Sequence, residues 1–198
     1  MSATDPSLPD KVVLVHGALG GRGINHAFGG ALALAYYAEP RSTIDIDINV
    51  FAPVTDSSEV LTALAPLGVD TATPPGGFEQ HGQVRVMWGR VPLDLFFAYD
   101  PLHAAMARSV RTVPFGDDTI PVLSPEHLMI CKVVFNRAKD WLDIEQMLLV
   151  VDDLDTADVH GWVARILGSD DARLIRFDRT VTDVVGTTGP SGAGRSGG

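Results

Sequence analysis

Apolar and polar residues alternate most regularly at Ile44-Asp45-Ile46-Asp47-Ile48-Asn49-Val50. A period of two predicts a strand, with the isoleucines toward a core and Asp45 and Asp47 together on the other face. Val84–Trp88 and Val91–Phe97 predict two further strands joined by a tight hairpin at Gly89-Arg90. Ile24–Phe28 reads as a short strand closed by Gly29-Gly30, and Ala31–Tyr37 as a small-residue helix ended by Pro40. The apolar run within Lys11–Leu19 fits a strand or a buried helix. Asp10 as N-cap and the glycines at 20, 21 and 23 favour the helix. Ser57–Leu67 predicts a helix stopped by Gly68, Asp70–Gly82 a loop around Pro74-Pro75-Gly76-Gly77, and Pro101–Val110 a helix. Asp117-Asp118 marks a turn between two short strand-like pieces.

Beyond this point the strand signals stop. Ser124-Pro125-Glu126 is a helix start, with an N-cap, a proline at the first position and an acid in the first turn. That helix is expected to run to Ala138, a second from Lys139-Asp140 to Val151, and two more over Thr156–Leu167 and Asp170–Asp178. The order of elements predicts an α+β (or α/β) core over residues 1–123 and a helical C-terminal subdomain over 124–185. The Gly/Ser/Thr-rich tail, 186–198, is expected to be disordered.

Composition narrows the function. Of 198 residues, 45% are hydrophobic and 20% charged, enough for a packed core. A net charge of -10 disfavours non-specific nucleic-acid binding and leaves carboxylates available for cations. The single cysteine excludes an intramolecular disulfide and a multi-cysteine zinc site, and Cys131 is expected in the core. The histidines are scattered, which argues against zinc. A Walker loop is missing. No apolar stretch approaches the roughly 18 residues of a membrane span, and the acidic start does not resemble a secretory signal, so a cytoplasmic protein is expected.

The chemistry concentrates on acids. Asp45 and Asp47, on one strand face, repel each other; a divalent cation with oxygen ligands, Mg²⁺ above all, would balance them. The alternative is a solvated strand face that carries two acids. Asp94 stands alone in the apolar strand Val91–Phe97. If that strand lies beside Ile44–Val50, three carboxylates meet, enough to hold a pair of metals for in-line phosphoryl displacement; otherwise Asp94 is a strand-end acid with a surface hydrogen bond. Gly29-Gly30 before a helix is either a tight turn or a place where backbone amides approach a phosphate.

Phe28-Gly29-Gly30, a gap of fourteen residues, then Asp45-Ile46-Asp47-Ile48 resembles the signature of the nucleotidyltransferase superfamily (DNA polymerase β-like), with a slightly long gap. Pro40-Arg41-Ser42-Thr43 before the acid pair adds to the match. So do Ser124-Pro125-Glu126-His127-Leu128, Lys132 and Arg137-Ala138-Lys139-Asp140-Trp141-Leu142-Asp143, which resemble the AbiEii abortive-infection toxin type of minimal nucleotidyltransferase. The resemblance spans residues 24–150. It implies a mixed-sheet core flanked by helices, and transfer of a nucleoside monophosphate from a nucleoside triphosphate, ATP or another, to an acceptor. It also implies two Mg²⁺ ions on Asp45, Asp47 and Asp94, with Asp94 as a candidate general base. Gly29, Gly30, Arg41, Ser42, Lys132, Arg137 and Asp140 would bind the nucleotide.

Residue chemistry leaves second readings open. Lys132, in a nearly all-apolar helix, meets either a triphosphate or a structural acid. Arg137 and Lys139 end a helix, Asp140 with Asp143 fits a helix N-terminal motif, and Arg41 can pair with Glu39. The acceptor is RNA, protein or a small molecule. Arg41, Arg85, Arg90, Lys132, Arg137 and Lys139 could gather around the acids to help a nucleic acid bind. A toxin-like protein implies a cognate antitoxin, and no membrane partner is expected. The competing function is a catalytically idle nucleotide- or protein-binding module on the same fold.

Overall fold

The computed structural model describes residues 5–72 and 82–188. The chain divides into two compact units, Met1–Ser124 and Pro125–Gly198.

The first unit is built on a six-stranded mixed sheet. Its strands are β1 (His26–Phe28), β2 (Ile46–Pro53), β3 (Gln83–Trp88), β4 (Val91–Ala98), β5 (Arg111–Phe115) and β6 (Asp118–Val122), in the order β3-β4-β2-β1-β6-β5. The hairpins β3–β4 and β5–β6 are antiparallel, as is β1 with β2, whereas β2–β4 and β1–β6 run parallel. Four helices accompany the sheet: α1 (Leu8–Gly20), α2 (Gly30–Leu34), α3 (Ser57–Leu64) and α4 (Pro101–Arg108). This is an α+β fold with helices flanking a mixed sheet.

Residue parity across the strands separates core from site. Ile46, Ile48 and Val50 of β2 stand opposite Leu93, Leu95 and Phe97 of β4, and all six are fully buried. Val84, Val86 and Trp88 continue that apolar face on β3. The other parity carries Asp47, Asn49, Arg85 and Asp94. Full burial of an aliphatic side chain contributes roughly 1.5–3 kcal/mol, so the apolar parity fixes which face the acids take.

Several local expectations shift. Ile44, expected to face the core, is 74% exposed, because β2 begins only at Ile46 and the period-two geometry does not reach back to the bend before it. The helix over Lys11–Leu19 forms, but its N-cap is Ser7. Ser7 Oγ accepts from the Asp10 N–H at 3.4 Å while Asp10, at the third helical position, accepts from Ser7 N–H at 3.1 Å. Lys11 is fully buried, reaching Asp5 at 2.8 Å and the Trp88 carbonyl at 3.2 Å. The helix expected over Ala31–Tyr37 is shorter, ending at Leu34. The Ser57–Leu67 helix tightens into a 3-10 turn over Ala65–Leu67 before Gly68, which takes a left-handed φ of 89°. In the expected loop, Asp70 makes an isolated antiparallel bridge to Met87, while Pro74-Pro75-Gly76-Gly77 lie outside the described residues.

The second unit is helical: α5 (Pro125–Phe135), α6 (Ala138–Val150), α7 (Thr156–Leu167) and α8 (Ala172–Thr188). Helix α5 packs against the other three. Ile130, Val133, Ile144, Met147, Val159, Val163, Leu174 and Phe177 are buried. Helix α8 extends well past Asp178, taking in the first residues of the expected tail, Gly186–Thr188; residues 189–198 lie outside the described residues. Thr180 and Thr182 donate to the carbonyls one turn earlier along it. Cys131 is half-buried, not enclosed, since α5 turns that position away from its tightly packed stripe. Among the described residues no helix is long and apolar enough to cross a membrane.

Candidate active site

The polar parity of the sheet gathers the first set of candidates. Asp47 and Asp94 are direct register partners on the parallel strands β2 and β4. Asp45 lies two residues before Asp47, just ahead of β2, and is half-buried. Thr43 Oγ1 donates to the Asp45 carboxylate, and the Asp45 N–H returns a bond to the same hydroxyl at 3.3 Å. Arg41 and Ser42 lie in the loop before this turn, Arg41 half-buried and Ser42 exposed.

The diglycine sits against the same carboxylates. The Gly29 N–H donates to the Asp47 carbonyl at 2.9 Å, which extends the β1–β2 ladder and commits that amide to the sheet. Gly30 opens α2 at a φ of 52°, and a Cβ there would lie 2.6 Å from Asp47 Cγ. A side chain at position 30 is thus excluded by conformation and by the carboxylate that fills its place. A Cβ on Gly29 would lie 2.8 Å from Asn49 Nδ2. Helix α2 has only five residues, so its macrodipole adds little. What the diglycine supplies is the close approach of backbone to the Asp47 carboxylate.

Arg85 completes the arrangement. It stands opposite Asp94 in the β3–β4 hairpin and grips it with two bonds, Nε to Oδ1 and a terminal nitrogen to Oδ2, both 2.6 Å. The Asp94 side chain is 4% exposed and that of Arg85 58%. The guanidinium is held still more firmly protonated than usual, by the Asp94 hydrogen bonds and charge first, against some burial, and then by the pull of Asp45 and Asp47. All three carboxylates therefore act on one arginine. Arg85 was expected only as one of several basic residues around the acids. Its pairing could have been counted from the hairpin turn at Gly89-Arg90.

The second set of candidates lies in the helical unit. Lys132 is buried and its Nζ meets Asp143 Oδ2 at 2.6 Å. Arg137 and Asp140 bind each other at the start of α6, with Nε to Oδ2 at 2.8 Å and the Arg137 backbone N–H to Oδ2 at 3.0 Å. Asp140 is fully buried and fills the third-position role of a helix N-terminal motif, although an arginine side chain cannot accept the return bond. Asn136 makes the corner between α5 and α6 at a φ of 56° and accepts the Trp141 indole N–H at 2.7 Å. Asp143 was not among the expected site residues, although the run Arg137–Asp143 contains it.

Three aspartate side chains are hard oxygen donors, the type that suits Mg²⁺. The cradle at Gly30, where a Cβ would fill carboxylate space, fits a site that must keep room beside Asp47. Among the described residues, however, no group of three or more acids, histidines or cysteines is gathered as a metal site. Arg85 takes both oxygens of Asp94.

The mixed six-stranded sheet with flanking helices matches a nucleotidyltransferase-like α+β fold. A family model, the nucleotidyl transferase AbiEii toxin of a type IV toxin–antitoxin system, matches residues 13–184, and the chain belongs to that family. It is a nucleotidyltransferase. Solved structures agree on the fold. A nucleotidyltransferase-like antigenic protein from Paracoccidioides brasiliensis superposes with a TM-score of 0.55 at 16% identity, over 85% of this chain and 92% of that one. The antibiotic-resistance enzyme ANT(2'')-Ia, in complex with adenylyl-2''-tobramycin, gives a TM-score of 0.52 at 13% identity, over 90% and 97%. No curated protein matches the chain.

Proposed function

We propose that the chain transfers a nucleoside monophosphate from a nucleoside triphosphate, ATP being the reference donor, to an acceptor hydroxyl, with Asp45, Asp47 and Asp94 as its catalytic and metal-holding residues. The observation that supports this most is the in-register Asp47–Asp94 pair beside Gly30, where the Asp47 carboxylate fills the volume a side chain would need. Mg²⁺, as two ions, would supply neutralisation of the charge that develops on the phosphoryl oxygens. Asp45 and Asp47 would hold it, and Asp94 would complete the set. The acceptor oxygen forms a bond to the α-phosphorus, the bond to the bridging oxygen breaks, and pyrophosphate leaves. The acceptor proton passes to an Asp94 oxygen, which acts as general base.

Roles for the remaining candidates follow from what they already touch. Gly30 keeps the backbone close to the carboxylates, Gly29 extends the ladder that holds Asp47, and Arg41 and Ser42 lie on the approach to them as phosphate ligands. Lys132, Arg137 and Asp140 act by holding the α5–α6 corner, because each already has a charged partner at hydrogen-bond distance. The acceptor is RNA, protein or a small molecule, and the net charge of -10 disfavours a large nucleic-acid footprint. A cognate antitoxin is the partner that membership of a type IV toxin–antitoxin family suggests.

The test is transfer itself. The purified chain is incubated with α-labelled nucleoside triphosphates, Mg²⁺ and cellular RNA, protein and small-molecule fractions, beside the Asp45→Ala/Asp47→Ala variant. Label should move to one fraction with the native chain and fall by about a thousandfold in the variant, the several kcal/mol that metal-held charge stabilisation supplies. Equal labelling by both would overturn the reading.

A further inference from the structure

We propose that Arg85 is a positioning residue that holds Asp94 until a divalent cation takes its place, so that guanidinium and cation compete for one carboxylate. This rests on the reading of Asp45, Asp47 and Asp94 as a metal site.

Three features carry it. The grip is bidentate: both Asp94 oxygens receive an arginine N–H at 2.6 Å. A positive charge fixed there repels a cation arriving at the same carboxylate. The partners are unequal in freedom. Asp94 is 4% exposed and lies on β4 beside its register partner Asp47. The Arg85 side chain, on β3, is 58% exposed, so its guanidinium rehydrates when it lets go, whereas the buried Asp94 then needs another cation in its place. Arg85 also feels Asp45 and Asp47, so it occupies the field that would draw a cation in.

Together these describe an exchange. Without a cation, Arg85 balances Asp94, whose register partner on β2 is Asp47. When the cation arrives, Arg85 turns outward into solvent, and Asp94 passes to the metal. The same step leaves an outward-facing guanidinium beside the site.

Mn²⁺ binding to the full chain without nucleotide, followed by electron paramagnetic resonance of the free ion, reads this directly. Arg85→Gln should bind Mn²⁺ about tenfold tighter than the native chain at low ionic strength, and the gain should shrink in high salt. Adding Asp94→Asn should abolish the gain, and Arg85→Lys, which keeps the charge without the fork, should lie between. Unchanged or weaker binding in Arg85→Gln, or a gain that survives Asp94→Asn, would overturn the competition. If Asp47→Asn loses Mn²⁺ while Arg85→Gln changes nothing, the metal site stands and the competition falls. If neither the native chain nor any variant binds Mn²⁺, both fall.

Discussion

Charged side chains meet in both units of this molecule, under different rules. On the sheet, Asp45, Asp47 and Asp94 all act on Arg85, whose side chain is more than half exposed. In the helical unit each deep acid has its own cation, Asp143 with Lys132 and Asp140 with Arg137. The first arrangement is shared and one member can leave, which is what a site that admits an outside cation requires. The second is matched acid to base: Lys132 and Asp143 are both enclosed, while Arg137, nearly as exposed as Arg85, binds Asp140 through its backbone N–H as well as its guanidinium. Removing either partner of an enclosed pair strands a buried charge. Such pairs hold helices in place. On the proposed reading the shared arrangement serves a cation and the matched one serves the fold, and what distinguishes them is how charge is distributed.

The strongest way to break this contrast is at Lys132. Lys132→Met should destabilise the chain by about 3–5 kcal/mol, because it leaves Asp143 buried without its lysine. Lys132→Met/Asp143→Leu should recover most of that loss, since a well-packed apolar pair replaces an ion pair with little penalty. Urea unfolding followed by Trp fluorescence measures both. If the single variant keeps its stability and instead raises KM for the nucleoside triphosphate, Lys132 is a phosphate ligand and the two units are alike.

Position 30 sharpens the sheet side. Gly30→Ala must place a methyl group inside the Asp47 carboxylate and adopt a left-handed backbone that alanine resists. The expected cost is about 2–3 kcal/mol, from strain and overpacking together. Nucleotidyl transfer should fall further than stability alone accounts for, because the carboxylate that yields is the one placed at the site. Denaturant titration beside a transfer assay at a temperature where the variant stays folded separates the two effects. Full activity in a folded Gly30→Ala chain would mean that the glycine serves the turn only.

How much of this could be read before folding depends on whether a local rule sets the distance. The hairpin turn at Gly89-Arg90 pairs Trp88 with Val91, and counting back from it reaches Arg85 opposite Asp94, so that contact was legible. The Asp47–Asp94 pairing was not. Those strands are parallel, no turn sets their register, and the intervening chain includes α3 and β3. The apolar parity of Ile46 and Ile48 foretold the face of Asp47, but the pattern overran the strand at Ile44, where alternation continues and pairing does not. Lys132 was open between an anion and an acid because its partner, eleven residues on, lies across a corner made by a left-handed asparagine. Asparagine tolerates that conformation without announcing it. Acid content pointed to a cation. The hairpin places an arginine opposite Asp94, but that its guanidinium takes both carboxylate oxygens depends on side-chain placement, visible only in three dimensions.

The smallest effect tests the corner itself, by comparison with Gly30. Both residues take a positive φ, 52° at Gly30 and 56° at Asn136, but for different reasons. At Gly30 the missing side chain matters, because the Asp47 carboxylate occupies its place. At Asn136 the side chain is used: its Oδ1 accepts the Trp141 indole N–H at 2.7 Å, and Arg176 stacks on that ring at 4.1 Å. Asn136→Gly keeps the backbone at ease and deletes the hydrogen bond, so it should cost about 1 kcal/mol. Asn136→Ala loses the bond and also resists the left-handed conformation, so it should cost about another 1 kcal/mol. Neither should change Mn²⁺ affinity at the sheet site. Unfolding titrations order the three proteins, and the Trp emission reports the freed indole. A Gly variant as damaging as the Ala variant would show that the side-chain bond, rather than the backbone, makes the corner. A shift in Mn²⁺ affinity with either would show that the helical unit acts on the carboxylates, and the division between chemistry and architecture would fail.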